Sequence, residues 1–235
     1  ESGEIELHPE PYTVDELNKY VDAIVRPLCR EKGQKFILDE EFTIFDEVPI
    51  ADKLRCNQII FNLLSNAVKY TPEGGTITYR VSGKMLESGE MQIEHEIRDD
   101  GIGMSEKFQK VLFEPFTQEN RKYASERRGT GLGLAIVKKI VDQMGGTIKV
   151  LSSPNEGTAF YVTLRFDTVS ASSLDSESLK KSMQADKEMM LLAGKHVLLC
   201  EDHPLNQEIA KAVLEKRNVI VTIADDGEAG VRAFS

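Results

Sequence analysis

The sequence predicts a mixed α/β fold in one larger unit, followed by the opening of a second unit with parallel α/β alternation. Three stretches repeat apolar residues at helical spacing. Two pairs of stretches alternate apolar and polar residues with a period of two. After Lys195 an apolar strand, a helix and a further strand follow in order. With 235 residues the chain is long enough for one large domain or two modest ones.

The first helix is predicted over residues 13 to 32, where Val14, Leu17, Val21, Ile24, Val25 and Leu28 fall on one face. Thr13 is its N-cap, with Glu16 three residues on, and Gly33 is its stop. "KFILDEEF" and its neighbours read as short strands. A second helix spans 52 to 70 and is closed by Thr71-Pro72 and the turn Glu73-Gly74-Gly75. "TITYRVSG" and "MQIEHEIRD" read as strands joined by a polar loop. A helix near 105 to 112 precedes a polar stretch running to Arg128. "LGLAIVKKIVDQM" is a third helix, ended by Gly145-Gly146, and "TIKVLSS" with "TAFYVTLRF" reads as a closing hairpin. The division expected is an upstream linker end at 1–12, a main domain at 13–167, a serine-rich and charged linker at 168–194, and an incomplete domain at 195–235.

Bulk properties narrow the function classes. A formal net charge of −10 argues against non-specific nucleic-acid binding. The cysteines Cys29, Cys56 and Cys200 lie far apart, without metal spacing, as in a protein of a reducing compartment. No apolar run reaches the roughly 20 residues that span a bilayer. The abrupt start and end of the sequence are those expected of an excised fragment.

In "MQIEHEIRD" the alternation puts Met91, Ile93, His95 and Ile97 on the buried face. His95 therefore reads as a core histidine rather than an exposed phosphoacceptor. One step further, Asp99 also points inward, where an unpaired carboxylate is costly. Two readings stay open: it accepts hydrogen bonds from a ligand such as the adenine amino group, or it caps the Gly101–Gly103 turn. On the second helix, Ile60, Leu63, Leu64 and Ala67 form one face. Asn62, Asn66 and Lys69 form the opposite stripe, extended by Arg55 and Gln58. That stripe is either a solvated face or a site where asparagine oxygens meet Mg²⁺ and Lys69 meets phosphate. Gly129, Gly131 and Gly133 lie at a helix start, where backbone N–H groups can approach an anion. Arg121, Lys122, Arg127 and Arg128 before them read as a lid over phosphates or as an ordinary exposed loop.

Four motifs, "NLLSNAVKYT", "DDGIGM", "LFEPFTQ" and "GTGLGLAIV", together resemble the catalytic ATP-binding domain of sensor histidine kinases. That domain sits in the wider ATP-binding group of DNA gyrase, mismatch-repair ATPases and a heat-shock chaperone. The resemblance covers about residues 13 to 167. It implies a two-layer sandwich of the Bergerat ATP-binding type, with helices on one face of a mixed sheet, and ATP and Mg²⁺ as ligands. It implies Asn66 as the Mg²⁺ ligand supported by Asn62, and Lys69 and Tyr70 beside the phosphates. Asp99 would meet the adenine amino group, Gly101 and Gly103 the adenine pocket wall, and Phe113 and Phe116 would anchor the lid. Gly129, Thr130, Gly131, Leu132 and Gly133 would approach the phosphates, and Thr158 would assist Asp99. Where some kinases carry a lid arginine, this chain has Gln118. "VLLCEDHPLNQEIAKAVLEK" resembles the opening of a response-regulator receiver domain, with Glu201 and Asp202 as its Mg²⁺-binding acidic pair. The parent protein implied is a hybrid histidine kinase: a homodimer whose phosphoacceptor helices lie upstream, with receiver or phosphotransfer proteins as partners and this part in the cytoplasm. Gyrase-type relatives carry a glutamate base where this chain has Asn62. Asparagine is a poor base, so transfer to a histidine is favoured over an ATPase clamp; a non-catalytic nucleotide-binding scaffold is the remaining alternative.

Overall fold

The computed structural model describes residues 6–42, 46–119, 130–173, 194–201, 207, 210–211, 214 and 219–234. They fall into two units, 1–173 and 174–235. In the first, Thr13 caps helix α1 (Val14–Glu31) through the predicted capping box: its side chain accepts from Glu16 N–H, and the Glu16 carboxylate accepts from Thr13 N–H. Pro27 sits on the exposed side of α1 without ending it. Asp52 caps α2 (Lys53–Tyr70), accepting from Arg55 N–H, a role the sequence alone had not marked.

Five strands form the main sheet: β2 (Lys35–Phe42), β4 (Thr76–Met85), β5 (Met91–Asp99), β6 (Thr147–Ser153) and β7 (Gly157–Phe166), in the order β2-β4-β5-β7-β6. β2 and β4 are parallel and the other pairings antiparallel, so the sheet is mixed. Its alternation is that of a sheet covered on one side. Ile77, Tyr79, Val81, Met91, Ile97, Val162 and Leu164 are at most 1% exposed, and they face a core completed by Ile59, Ile60, Leu63 and Leu64 of α2 and by Val137 and Ile140 of α4 (Gly133–Gln143). The two-layer sandwich is the one expected.

His95 lies in this core at 3% exposure, and its Nδ1 is 2.9 Å from the Tyr79 hydroxyl. Burial pushes its pKa down to about 4, so the ring is neutral and structural.

Two elements depart from the reading of the sequence. Helix α3 covers only Glu106–Gln109, against an expected 105 to 112. Residues 168–170, assigned to a linker, form strand β8 (Thr168–Ser170). It pairs with β3 (Glu47–Ala51), which also pairs with β1 (Glu10–Pro11) in a small antiparallel sheet. These strands of two, five and three residues carry too few alternations to show a period.

In the second unit, β9 (His196–Cys200) and β10 (Ile220–Ala224) are parallel and in register, and helix α5 (Gly227–Phe234) packs on both. Parallel neighbours need a crossover between them, as the α/β alternation predicted.

Candidate functional site

Asp99 ends β5 and is 8% exposed. It lies opposite Thr158 in the register with β7. Its carboxylate accepts from Gly101 N–H at 2.9 Å and from the Thr158 N–H. Burial raises its pKa to about 6. Those two donors oppose the rise, and neighbouring Asp100 adds to it. The carboxylate therefore caps the turn, one of the two readings of the sequence, and still carries the cost of its burial.

The turn after Asp99 is held on both sides. Ile102 N–H donates to Tyr70 O at the end of α2, and Asn155 N–H donates to Ile102 O. Gly101 lies so close to α2 that a Cβ there would sit 2.6 Å from Tyr70 O. Gly103 has φ +64°, and a Cβ on it would lie 1.8 Å from Ser153 O. Both glycines are thus required by close backbone approach, and the buried carboxylate is joined to the C-terminal end of the asparagine helix.

On α2, Asn62, Asn66 and Lys69 are half-buried while Leu63, Leu64 and Ala67 opposite them are buried. Asn62 Nδ2 donates to Gln58 O at 2.7 Å, which commits the amide nitrogen to its own helix. Asn62 Oδ1 then faces the start of α4, where a Cβ on Gly133 would lie 2.9 Å from it. The stripe therefore meets the glycine-rich helix start. Lys69 Nζ lies 5.3 Å from the centre of the Tyr70 ring. Among the described residues no cluster of three His, Cys, Asp or Glu side chains could hold a metal, so amide oxygens are the donors this region offers. That suits a hard cation which takes few protein ligands and completes its shell with phosphate and water.

Gly131 has φ +71° and accepts through its carbonyl from Phe116 N–H at 3.1 Å; a Cβ on Gly131 would lie 2.9 Å from the Phe116 backbone. Phe116 itself has φ 63° and is 75% exposed. Its backbone, not its ring, ties the segment down, and Leu112 at 2% exposure supplies the buried side chain while Phe113 is half-buried. Thr130 Oγ1 accepts from Leu132 N–H. Gly129, Arg121, Lys122, Arg127 and Arg128 lie outside the described residues, as does Asp202. Glu201 follows β9 in the second unit, its N–H donating to Ala224 O.

Two side chains that the sequence did not single out organise the site. The Ser152 hydroxyl, on β6, contacts Met104 N–H, Gly157 O and the Thr158 hydroxyl within 2.9 Å. Gln34, before β2, donates through Nε2 to Val68 O and Thr71 O and so closes the last turn of α2. Neither carries a periodic or spacing signal. An open hollow of about 450 Å³ at this end of the sheet is lined by Asp99, Ser152 and Thr158 together with Thr76, Thr78 and Arg98; no α2 residue lines it.

A family model described as the histidine kinase-, DNA gyrase B- and HSP90-like ATPase matches residues 51–168, half of the chain. The autoinducer 2 sensor kinase/phosphatase LuxQ of Vibrio parahaemolyticus is 34% identical over 230 residues, 97% of this chain and 26% of that protein. The signal transduction histidine-protein kinase BarA of Escherichia coli K12 is 37% identical over 167 residues, 71% of this chain and 18% of that protein. The chain thus spans about a quarter or less of the length of these curated relatives. Among solved structures, the catalytic domain of histidine kinase ThkA aligns with TM-score 0.55 at 25% identity, over 68% of this chain and 97% of that one. Full-length ShkA in complex with AMPPNP aligns with TM-score 0.59 at 24% identity, over 97% of this chain and 43% of that one, a likeness of fold. No described helix is long and apolar enough to cross a membrane. The asparagine helix, the capped carboxylate and the glycine turn fall within the matched segment, and the chain belongs to the histidine kinase-, DNA gyrase B- and HSP90-like ATPase family, with sensor histidine kinases as its homologues.

Proposed function

We propose that residues 13–167 bind ATP with Mg²⁺ and transfer its γ-phosphoryl group to a histidine on dimerisation helices of the same protein. The observation that carries this is the junction of Asp99 with α2: the Gly101–Ile102 turn lies against Tyr70 O, one turn beyond Asn66. In this reading the Asp99 carboxylate accepts from the adenine amino group, assisted by Thr158. Gly101 and Gly103 let the base approach the backbone. Asn66, supported by Asn62, would hold Mg²⁺, which supplies charge neutralisation on the phosphates. Lys69 and Tyr70 flank the phosphates, and the backbone of Thr130 to Gly133 meets them at the start of α4. Phe113 and Phe116 begin the lid, and its cations come from Arg121, Arg127 or Arg128.

Asn62 separates transfer from hydrolysis. An amide cannot take a proton from water, and its nitrogen is already engaged with Gln58 O. The nucleophile is therefore the imidazole of the acceptor domain, and the protein positions and neutralises rather than activating water. The second unit reads as the beginning of a receiver domain, on its parallel β9–β10 pair with Glu201 directly after β9, and with Glu201 and Asp202 as its acidic pair. That makes the whole a cytoplasmic part of a homodimeric hybrid kinase feeding a phosphorelay. The test supplies the chain with ATP, Mg²⁺ and a dimerisation domain in trans. Acid-labile, base-stable phosphate on histidine is expected, abolished by Asn66→Ala. Brisk ATP turnover by the chain alone, without phosphohistidine, would favour an ATPase clamp instead.

A further inference from the structure

Resting on the ATP-binding reading above, we infer that Ser152 is a positioning residue for nucleotide selectivity: it fixes the Thr158 hydroxyl so that this group offers the base only lone pairs. A serine hydroxyl has one hydrogen to give and two lone pairs to fill. Ser152 Oγ is 2.8 Å from Gly157 O, and a carbonyl only accepts, so Ser152 gives its hydrogen there. Met104 N–H only donates, so its 2.9 Å contact fills one lone pair of Ser152. The remaining contact, 2.9 Å from Ser152 Oγ to Thr158 Oγ1, then requires Thr158 to be the donor. With its proton committed to Ser152, Thr158 is an acceptor toward anything beside it.

Asp99 lies directly across the β5–β7 pair from Thr158 and on the same face. Its carboxylate is acceptor-only when charged. The two groups therefore present an all-acceptor edge. Such an edge selects a base carrying an exocyclic amino group and rejects one carrying a keto oxygen, because two facing acceptors leave buried lone pairs unmatched. Ser152 also ties this edge to its surroundings. Gln109 of α3 donates to both Ser152 O and Met104 O, so the turn after Asp99, the β6–β7 connection and α3 are held in one network.

The test measures ATP and ITP affinities with Mg²⁺ by calorimetry on the full chain; ITP differs from ATP by a keto group in place of the 6-amino group. In Ser152→Ala the Thr158 hydroxyl is released to rotate and donate. The ATP-to-ITP affinity ratio is expected to narrow by about fivefold, the scale of one hydrogen bond. In the double variant with Thr158→Val no further narrowing from Ser152→Ala is expected. A defect of packing alone would weaken both nucleotides alike and leave the ratio unchanged, and that result in a folded Ser152→Ala chain overturns the inference. If the alanine variant does not fold, Ser152→Cys keeps the shape with weak hydrogen bonding, and an unchanged ratio there overturns it equally. Failure of the unaltered chain to bind ATP at all overturns the nucleotide reading itself; ATP binding with an unmoved ratio overturns only the role of Ser152.

Discussion

Asp99→Asn should make the nucleotide-free protein more stable while removing its nucleotide affinity. Raising the carboxyl from 3.8 to about 6 corresponds to about 3 kcal/mol against the charged form in the folded state. The sign follows from proton linkage. Below about pH 4 the carboxyl is protonated in both states and the cost is absent. As pH rises through 3.8 the unfolded chain releases its proton while the folded chain retains it, so stability falls until about pH 6 and is then constant. An asparagine keeps the shape and one acceptor for the Gly101 and Thr158 N–H groups but carries no charge to desolvate. Allowing for weaker bonds to a neutral acceptor, a gain of about 2 kcal/mol is expected at pH 7.5, a rise in Tm of about 4–8 °C. The gain should vanish at pH 4. For ATP, the substitution replaces an acceptor of the adenine amino group by a second donor. The expected loss is about 3 kcal/mol or more, at least roughly 100-fold in Kd. Thermal melts at the two pH values, with calorimetry of Mg–ATP at pH 7.5, read both arms. Unchanged affinity refutes Asp99 as the adenine acceptor, and a lower Tm at pH 7.5 refutes the assigned cost of its burial.

Gly103→Ala should disrupt the site through the backbone. The new Cβ meets Ser153 O at 1.8 Å in a left-handed conformation, so the turn must move, at a cost of at least about 3 kcal/mol. Gly89→Ala, with φ +88° and no atom within 4 Å, is the control and should cost only about 1 kcal/mol of conformational strain; equal losses in denaturant titrations would show that close approach is not what Gly103 provides. His95→Gln should remove the acid-labile component of stability. The histidine contribution is complete above about pH 6.5 and lost as the pH falls to about 4, because the unfolded imidazole takes a proton that the buried one refuses. Stability profiles of the two proteins that run parallel between pH 6.5 and pH 4 would show that His95 does not titrate on unfolding.

The legible parts of the sequence were those where one local period decides a face. Alternation along β5 placed His95 in the core and Asp99 at its buried end, and helical spacing put Asn62, Asn66 and Lys69 opposite Leu63 and Leu64. The α1 cap was legible because Thr13 and Glu16 satisfy each other within one turn. What depends on distant partners was not. Nothing local announces that β2 runs parallel to β4, or that β8 returns to pair with β3. Phe116 was marked only through the family motif, and nothing local announces that its N–H donates to Gly131 O with the ring exposed while Leu112 is buried. Ser152 was hidden for the opposite reason. A serine at the end of a strand is unremarkable until the chain brings Met104 and Thr158 to its hydroxyl.

Asp99 and His95 stand four residues apart on one strand, both facing inward, and their titrations oppose each other. Acidification from about pH 6.5 to 4 removes about 3 kcal/mol through His95 and returns a similar amount through Asp99. Between them the unliganded protein should be nearly indifferent to pH in that window, although each group alone would impose a steep slope. Ligand binding breaks the balance. A donor delivered to the Asp99 carboxylate stabilises its charged form and draws its pKa down, whereas nothing in the site touches His95, whose neighbour is the Tyr79 hydroxyl. The nucleotide-bound protein should therefore regain the acid slope of His95 that the free protein conceals. On the proposed reading, the base relieves on entering the cost of a buried carboxylate at the end of β5 that the Gly101 and Thr158 N–H groups offset only in part.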